Sequence, residues 1–142
     1  MPLTSIVRRY IPLTMRMTEA ELAAQIEWFH QLAALPPDQL ALQASEANQS
    51  AFANLVKVCL PDHSAPVGQS AETFASTVLA LRENERQWNR ALSSALIQAD
   101  DLHKSQGWQG AVTTLEAFAK SCPWKLFREV ARDQANNYSS RS

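Results

Sequence analysis

Residues 70–102 read SAETFASTVLALRENERQWNRALSSALIQADDL and carry a stripe whose members recur at alternating intervals of four and three residues. The stripe is apolar except for one glutamate, and it consists of Phe74, Val78, Leu81, Glu85, Trp88, Leu92, Ala95, Ala99 and Leu102. This spacing places all of them on one face of an α-helix. It predicts one long amphipathic helix, spanning roughly 50 Å at about 1.5 Å per residue. Such a helix needs partners along its length, either neighbouring helices or a second chain.

Shorter helical segments flank the long one. Thr18 and Glu21 have the spacing of a capping box and open a first helix, which Pro36 and Pro37 end. A second helix is expected over residues 37–60, with residues 48–50 as a candidate bend, and residues 61–69 form the clearest loop. A fourth helix is expected over residues 111–122, and a fifth from Pro123 to about residue 136 with Phe127, Val130 and Ala131 facing inward.

These segments predict an all-α fold, a helical bundle of about five helices organised around residues 70–102. Only 3 of the 142 residues are glycine, and no stretch alternates apolar and polar residues as a strand does. We expect an extended N-terminal arm over residues 1–17, where Pro2 and Pro12 oppose a long helix. A single helical domain then covers residues 18–137, and residues 138–142 form a frayed tail.

The bulk charge and the cysteines limit the classes of partner. The net charge of −1 implies neither nucleic acid nor an anionic membrane. No apolar run approaches the length of about 18 residues that a transmembrane helix needs. Cys59 and Cys122 occupy apolar positions near proline, which predicts buried thiols and a cytoplasmic protein. No motif for a cofactor is present.

A charged patch lies in the middle of the long helix. Arg82, Arg86 and Arg90 follow at intervals of four residues, so they share one face, where an acidic partner could neutralise them. A solvated face is the alternative. Glu85 falls on the apolar stripe, so its carboxylate has to be paired, exposed at a gap or protonated. An ion pair between helices or between subunits is the interpretation we favour.

Four tryptophans are candidates for core or interface anchors. Trp88 lies on the stripe, which places it in the core or at an oligomer seam. Trp108 and Trp124 lie at turns, where an indole can be half exposed. The predicted partner-binding residues are therefore Arg82, Glu85, Arg86, Trp88, Arg90, Trp108 and Trp124.

Two carboxylate–histidine pairs suggest a different chemistry. Glu27 and His30, and likewise Asp100 and His103, lie one helical turn apart. A di-metal helical bundle uses pairs of this kind together with two further carboxylates. The alternative is that both histidines lie at solvated helix edges.

Two stretches resemble phasins, the small helical proteins that coat bacterial polyhydroxyalkanoate granules. Residues 35–44, LPPDQLALQA, resemble the turn and helix of that family, and residues 117–127, AFAKSCPWKLF, followed by Asp133-Gln134-Ala135, repeat the pattern. The resemblance implies a self-associating protein that binds a hydrophobic polymer surface. It supplies no catalytic or cofactor residues.

We therefore expect a non-enzymatic helical interaction protein, phasin-like and homo-oligomeric, that binds a protein partner, a hydrophobic polymer surface or both. The first alternative is an immunity protein or adaptor that binds and neutralises one partner through a charged helix face. The second alternative is a di-metal helical-bundle enzyme.

Overall fold

The computed structural model describes residues 18–140, and within them the chain forms six helices and no strand. The helices are α1 (Glu19–Ala33), α2 (Pro37–Ala41), α3 (Glu46–Cys59), α4 (Ala71–Gln106), α5 (Trp108–Ser121) and α6 (Lys125–Ser140). The predicted all-α fold class is confirmed, with the long helix packed against others. The predicted arm over residues 1–17 lies outside the described residues. None of the described helices combines the length and apolar character that crossing a bilayer requires.

The long helix α4 agrees closely with the predicted stripe. Seven of the nine stripe positions are buried, and Trp88 and Leu102 are half-buried. Ser70 caps its start, since the Thr73 amide donates to Ser70 Oγ at 3.2 Å. The helix continues one turn beyond the predicted end at Leu102 and ends at Gln106. The next residue, Gly107, has a φ of +99°, a conformation that favours glycine.

The chain divides into two compact units, one up to Asn84 and one from Glu85 onward. In the first unit, α1 packs against α3. Three phenylalanines link its helices: the ring centroids of Phe29 and Phe52 lie 6.0 Å apart, and those of Phe52 and Phe74 lie 5.8 Å apart. Thr18 caps α1 as predicted, because its hydroxyl accepts from the Glu21 amide.

The second predicted helix, residues 37–60, is wrong as a single element. It breaks at residues 42–45, ahead of the candidate bend, and α3 runs unbroken through residues 48–50. Ser45 explains the position of the break, since its hydroxyl accepts from the Asn48 amide and caps α3.

In the second unit, α5 packs against α6, and their predicted ends need correction. Gly107 alone separates α4 from α5, and Gly110 lies inside α5 because a single residue at positive φ suffices to end α4. Helix α6 begins at Lys125 rather than at Pro123 and continues through Ser140. Residues 138–140, predicted as frayed tail, are therefore helical, whereas residues 141–142 lie outside the described part.

The buried face of α6 also differs from the predicted one. Phe127 and Val130, predicted to face inward, are only half-buried. The fully buried positions are Leu126, Glu129, Ala131, Ala135 and Tyr138. The buried face of α6 is set by the helices that pack against it and not by the positions of its most apolar residues. It therefore includes the carboxylate of Glu129.

Candidate functional site

The predicted charged patch lies on the long helix α4. Arg86 and Arg90 are exposed one turn apart in the second unit, whereas Arg82 belongs to the first unit and is half-buried. Arg82 and Arg90 each interact with another residue. Arg86 is the member of the patch for which the described residues show no partner.

Glu85 is buried, as its place on the stripe predicts, with only 5% of its surface exposed. It interacts with another residue, so the carboxylate is not isolated. Removing the partner of a buried carboxylate costs roughly 3–5 kcal/mol, so a partner is what the physics requires. Glu85 therefore acts as a structural residue of α4 and is not accessible to an external ligand.

The aromatic residues form a cluster in the second unit. The indoles of Trp88 and Trp124 lie 6.1 Å apart between ring centroids, and Trp124 lies 6.0 Å from the Phe127 ring. Trp124, predicted to be half exposed at a turn, is only 1% exposed. The prediction was wrong because Trp124 leads into α6 with its indole packed between these two rings. Trp108 is half-buried at the start of α5.

The carboxylate–histidine pairs make other contacts than the predicted ones. Asp100 forms a salt bridge of 2.9 Å with Lys104 and accepts a hydrogen bond of 3.4 Å from the Tyr138 hydroxyl. The Lys104 hydrogen bond holds the pKa of Asp100 below its ordinary value, and the same bond raises the pKa of Lys104. The imidazole of His103 packs against the Tyr138 ring at 5.0 Å.

In the first unit, Glu27 accepts a hydrogen bond of 3.2 Å from Gln31, and the His30 ring lies 5.6 Å from the Phe29 ring. Across residues 18–140, no three His, Cys, Asp or Glu side chains are grouped so that they could hold a metal ion. The described contacts of both pairs are thus those of helix side chains packed on their neighbours.

Both cysteines are buried thiols, as predicted. Burial raises the pKa of Cys122, and this effect outweighs the lowering by a backbone hydrogen bond with Trp124 and by the positive charge of Arg128. A thiol with a raised pKa is a poor nucleophile at neutral pH. Cys122 is consequently a packing residue.

Sequence reasoning missed the role of Gln49, which is buried in the first unit. Its Oε1 accepts from the amides of Gly68 and Gln69, both at 2.8 Å, and its Nε2 donates to the carbonyls of Gln69 and Ala44. The three bonds to Gly68 and Gln69 hold the loop before α4 against α3, and the fourth bond reaches the break before α3. The available signal was its spacing of three residues from Phe52, which makes it a polar residue on a buried face.

A second missed feature is a groove of about 280 Å³ between α5 and α6, within the second unit. It is lined by Glu116, Ala119, Lys120, Arg132, Ala135 and Asn136. Among these lining residues, Arg132 donates from Nη1 to the buried carboxylate of Glu129 at 3.5 Å. A glutamate at i+3 from Leu126 was the sequence signal for this buried charge.

Exposed apolar side chains are the third feature. Among residues 18–140, the large ones are Leu42, Val67 and Ile97. Leu42 is 83% exposed and lies in the break between α2 and α3, while Leu40, two residues earlier, is completely buried. Both lie in the stretch LPPDQLALQA, so this stretch presents one leucine to the core and one to solvent.

No protein-family model, curated protein or solved structure that was compared with this chain matches it. The fold and the contacts described above define the class as an all-α protein with one long amphipathic helix.

Proposed function

We propose that this protein is a non-enzymatic helical interaction protein that associates with a hydrophobic polymer surface, in the manner of phasins. The observation that carries the proposal is Leu42, which is 83% exposed inside the stretch that resembles phasins. Covering an exposed leucine with a hydrophobic surface is favourable, and complete burial lowers the free energy by about 1.5–3 kcal/mol. Leu42 would therefore be a first point of contact.

The amphipathic helices support the same function. Helix α4 gathers most of its large apolar side chains on one face, and residues 82–90 are polar except for Trp88. Amphipathic helices can exchange a neighbouring helix for a hydrophobic surface, because either one removes the apolar face from water. Binding driven by apolar burial is insensitive to screening of charges by salt.

Adsorption to poly(3-hydroxybutyrate) particles tests the proposal. The protein is incubated with particles at low and high sodium chloride, the particles are pelleted, and the bound fraction is measured. We expect binding that persists at high salt and falls roughly tenfold in Leu42→Ser, the equivalent of about 1.4 kcal/mol. Gln43→Ser, at the adjacent exposed position, is the matched control. Binding that disappears at high salt, or that is the same in both variants, would contradict the proposal.

Self-association along α4 belongs to the same proposal. Ile97 is an exposed branched apolar residue of that helix, and contact with a second copy would remove it from water. Sedimentation velocity of Ile97→Glu against Gln98→Glu, at the adjacent exposed position, tests it. A shift toward monomer confined to Ile97→Glu is the expected result, and the same sedimentation profile for both variants would contradict it.

The second candidate is an immunity protein or adaptor, and the exposure of Arg86 and Arg90 favours it. An exposed cationic pair on a rigid helix would steer an acidic partner and accelerate association. In this case one stoichiometric protein copurifies from lysate, and the double variant Arg86→Glu, Arg90→Glu slows its association at low salt. The particle assay separates the two candidates, since this variant should leave adsorption unchanged.

A further inference from the structure

The groove between α5 and α6 combines charged walls with a floor of small side chains. Glu116 and Lys120 stand one turn apart on α5, and Arg132 and Asn136 stand one turn apart on α6. Ala119 and Ala135 lie between these walls. The volume of about 280 Å³ lies just below the range of about 300 to 1,000 Å³ that is typical of ligand sites. The groove can therefore take only a small ligand or one end of a larger one.

Arg132 contacts a carboxylate that is buried inside the second unit. Glu129 is only 5% exposed and accepts from Arg132 Nη1 at 3.5 Å. Burial of a carboxylate is costly, and one long hydrogen bond to a half-exposed arginine offsets little of that cost. The Glu129 carboxylate thus contributes little to stability. It can orient the Arg132 guanidinium, whose other N–H groups can then face the groove.

Lys120 and Asn136 are the remaining donors of the groove. Within the part of the chain that the structure describes, no carboxylate forms an ion pair with Lys120, and no side-chain hydrogen bond engages the amide of Asn136. Three donor side chains therefore line the groove, from two helices that pack directly on each other.

The charges of the lining select the ligand. Lys120 and Arg132 bring two positive charges and Glu116 one negative charge, so the lining has a net charge of +1 (2 − 1). A ligand with one negative charge would neutralise this lining, whereas a dianion would leave it with a net charge of −1. A carboxylate has the single charge and the two acceptor oxygens that a guanidinium and an ammonium can share. Ala119 and Ala135 are each only 2% exposed, so the charged and polar side chains carry the recognition.

We propose that this groove binds a carboxylate, with Lys120 and Arg132 as its charge partners and Glu129 as the residue that positions Arg132. The site is independent of the hydrophobic-surface binding proposed above. Its carboxylate could come from a free short-chain acid or from an acidic side chain of a peptide.

Titration followed by ¹H–¹⁵N NMR tests the site. The probes are sodium hexanoate, its neutral analogue hexanamide, and N-acetylglutamic acid α-amide as the peptide source. We expect saturable shifts at Lys120, Arg132 and Asn136 with hexanoate and none with hexanamide. Tighter binding of the glutamate derivative would assign the site to peptide carboxylates, and tighter binding of hexanoate would assign it to free acids.

Substitutions separate the site from non-specific attraction. Lys120→Ala and Arg132→Ala should each weaken hexanoate binding roughly tenfold, the loss of one charge-assisted hydrogen bond. Lys57→Ala, an exposed lysine that does not line the groove, should leave it unchanged. Equal shifts with hexanamide, or unchanged affinity in both groove variants, would overturn the proposal.

The positioning role of Glu129 has its own test. Glu129→Gln keeps the shape and removes the charge, so it should weaken hexanoate binding severalfold while the thermal midpoint stays the same or rises. The amide of Glu129→Gln could still accept a hydrogen bond from Arg132, so Glu129→Ala, which cannot, is measured beside it. Full affinity in both variants, with the fold intact, would remove Glu129 from the site.

Discussion

The side-chain amide of Gln49 pairs with both backbone polar groups of Gln69: the Gln69 amide donates to Oε1 at 2.8 Å, and Nε2 donates to the Gln69 carbonyl at 3.0 Å. The Gln49 side chain thereby satisfies both the backbone donor and the backbone acceptor of Gln69. The Gly68 amide donates to the same oxygen. The loop that precedes α4 is held at this point, so the start of the long helix depends on Gln49.

Gln49→Leu should lower the free energy of unfolding by about 2–3 kcal/mol, because three backbone groups of the loop lose the partner that they have in the folded state. Urea unfolding followed by circular dichroism measures the change. Gln43→Leu, at an exposed position, is the control and should change the stability little. Equal effects of the two substitutions would mean that the four bonds of Gln49 contribute nothing specific.

The two glycines at the α4–α5 junction should respond oppositely to alanine. Gly107 has φ +99° and ψ −175°, a region that only glycine adopts readily, so Gly107→Ala should cost roughly 1–3 kcal/mol. Gly110 lies inside α5, where an added Cβ would lie 3.6 Å from the Leu102 Cβ, an ordinary contact. Gly110→Ala should therefore stabilise the protein by roughly 0.5–1 kcal/mol. Thermal unfolding of both variants provides the comparison, and a loss of stability in Gly110→Ala would contradict it.

Trp124 should matter more for stability than Trp108. Trp124→Ala removes a fully buried indole between two aromatic rings and should cost about 3–5 kcal/mol. Trp108 is half-buried, so Trp108→Ala should cost roughly half as much. Chemical denaturation of the two variants measures the difference. If Trp108→Ala proved the more damaging, the burial of Trp124 would not be the anchor that we describe.

Asp100 should make part of the stability dependent on acid pH. Its pKa in the folded protein lies below the ordinary value of 3.8, because Lys104 and Tyr138 donate to the carboxylate. The stability that this carboxylate contributes is present above pH 3.8 and is lost as the pH falls through the lowered pKa.

Asp100→Asn should therefore lose less stability than the parent protein between about pH 4 and pH 2. Thermal midpoints across that range measure the effect. Asp101→Asn, the exposed neighbour, is the matched control and should follow the parent profile. An Asp100→Asn profile parallel to that of the parent would show that the Asp100 contacts do not persist in solution.

The predictions that succeeded rest on local chemistry. The four-and-three spacing from Phe74 to Leu102 identified both α4 and its buried face, including the acidic position Glu85. Thr18 marked the start of α1, since a cap requires only a side-chain oxygen and an amide within the same turn. The break before α3 was misplaced because Ser45 was not recognised as a cap.

The candidate sites were harder to predict. Trp124 follows a proline in a short connection, where exposure is common, but Trp88 and Phe127 cover it. The groove needs Lys120 and Arg132 to face each other across two helices. No spacing within either helix specifies that register, because it is set by the way in which α5 and α6 pack.

The amino-acid sequence by itself determined where the long helix lies and which of its faces is apolar, because helical periodicity and capping act between residues a few positions apart. The tertiary structure decided which polar groups enter the interior, as Gln49 and Glu129 do, and which leucine of LPPDQLALQA is left in water. Those outcomes depend on which distant segment supplies a hydrogen bond or covers a side chain. That information is carried by the packing of the helices.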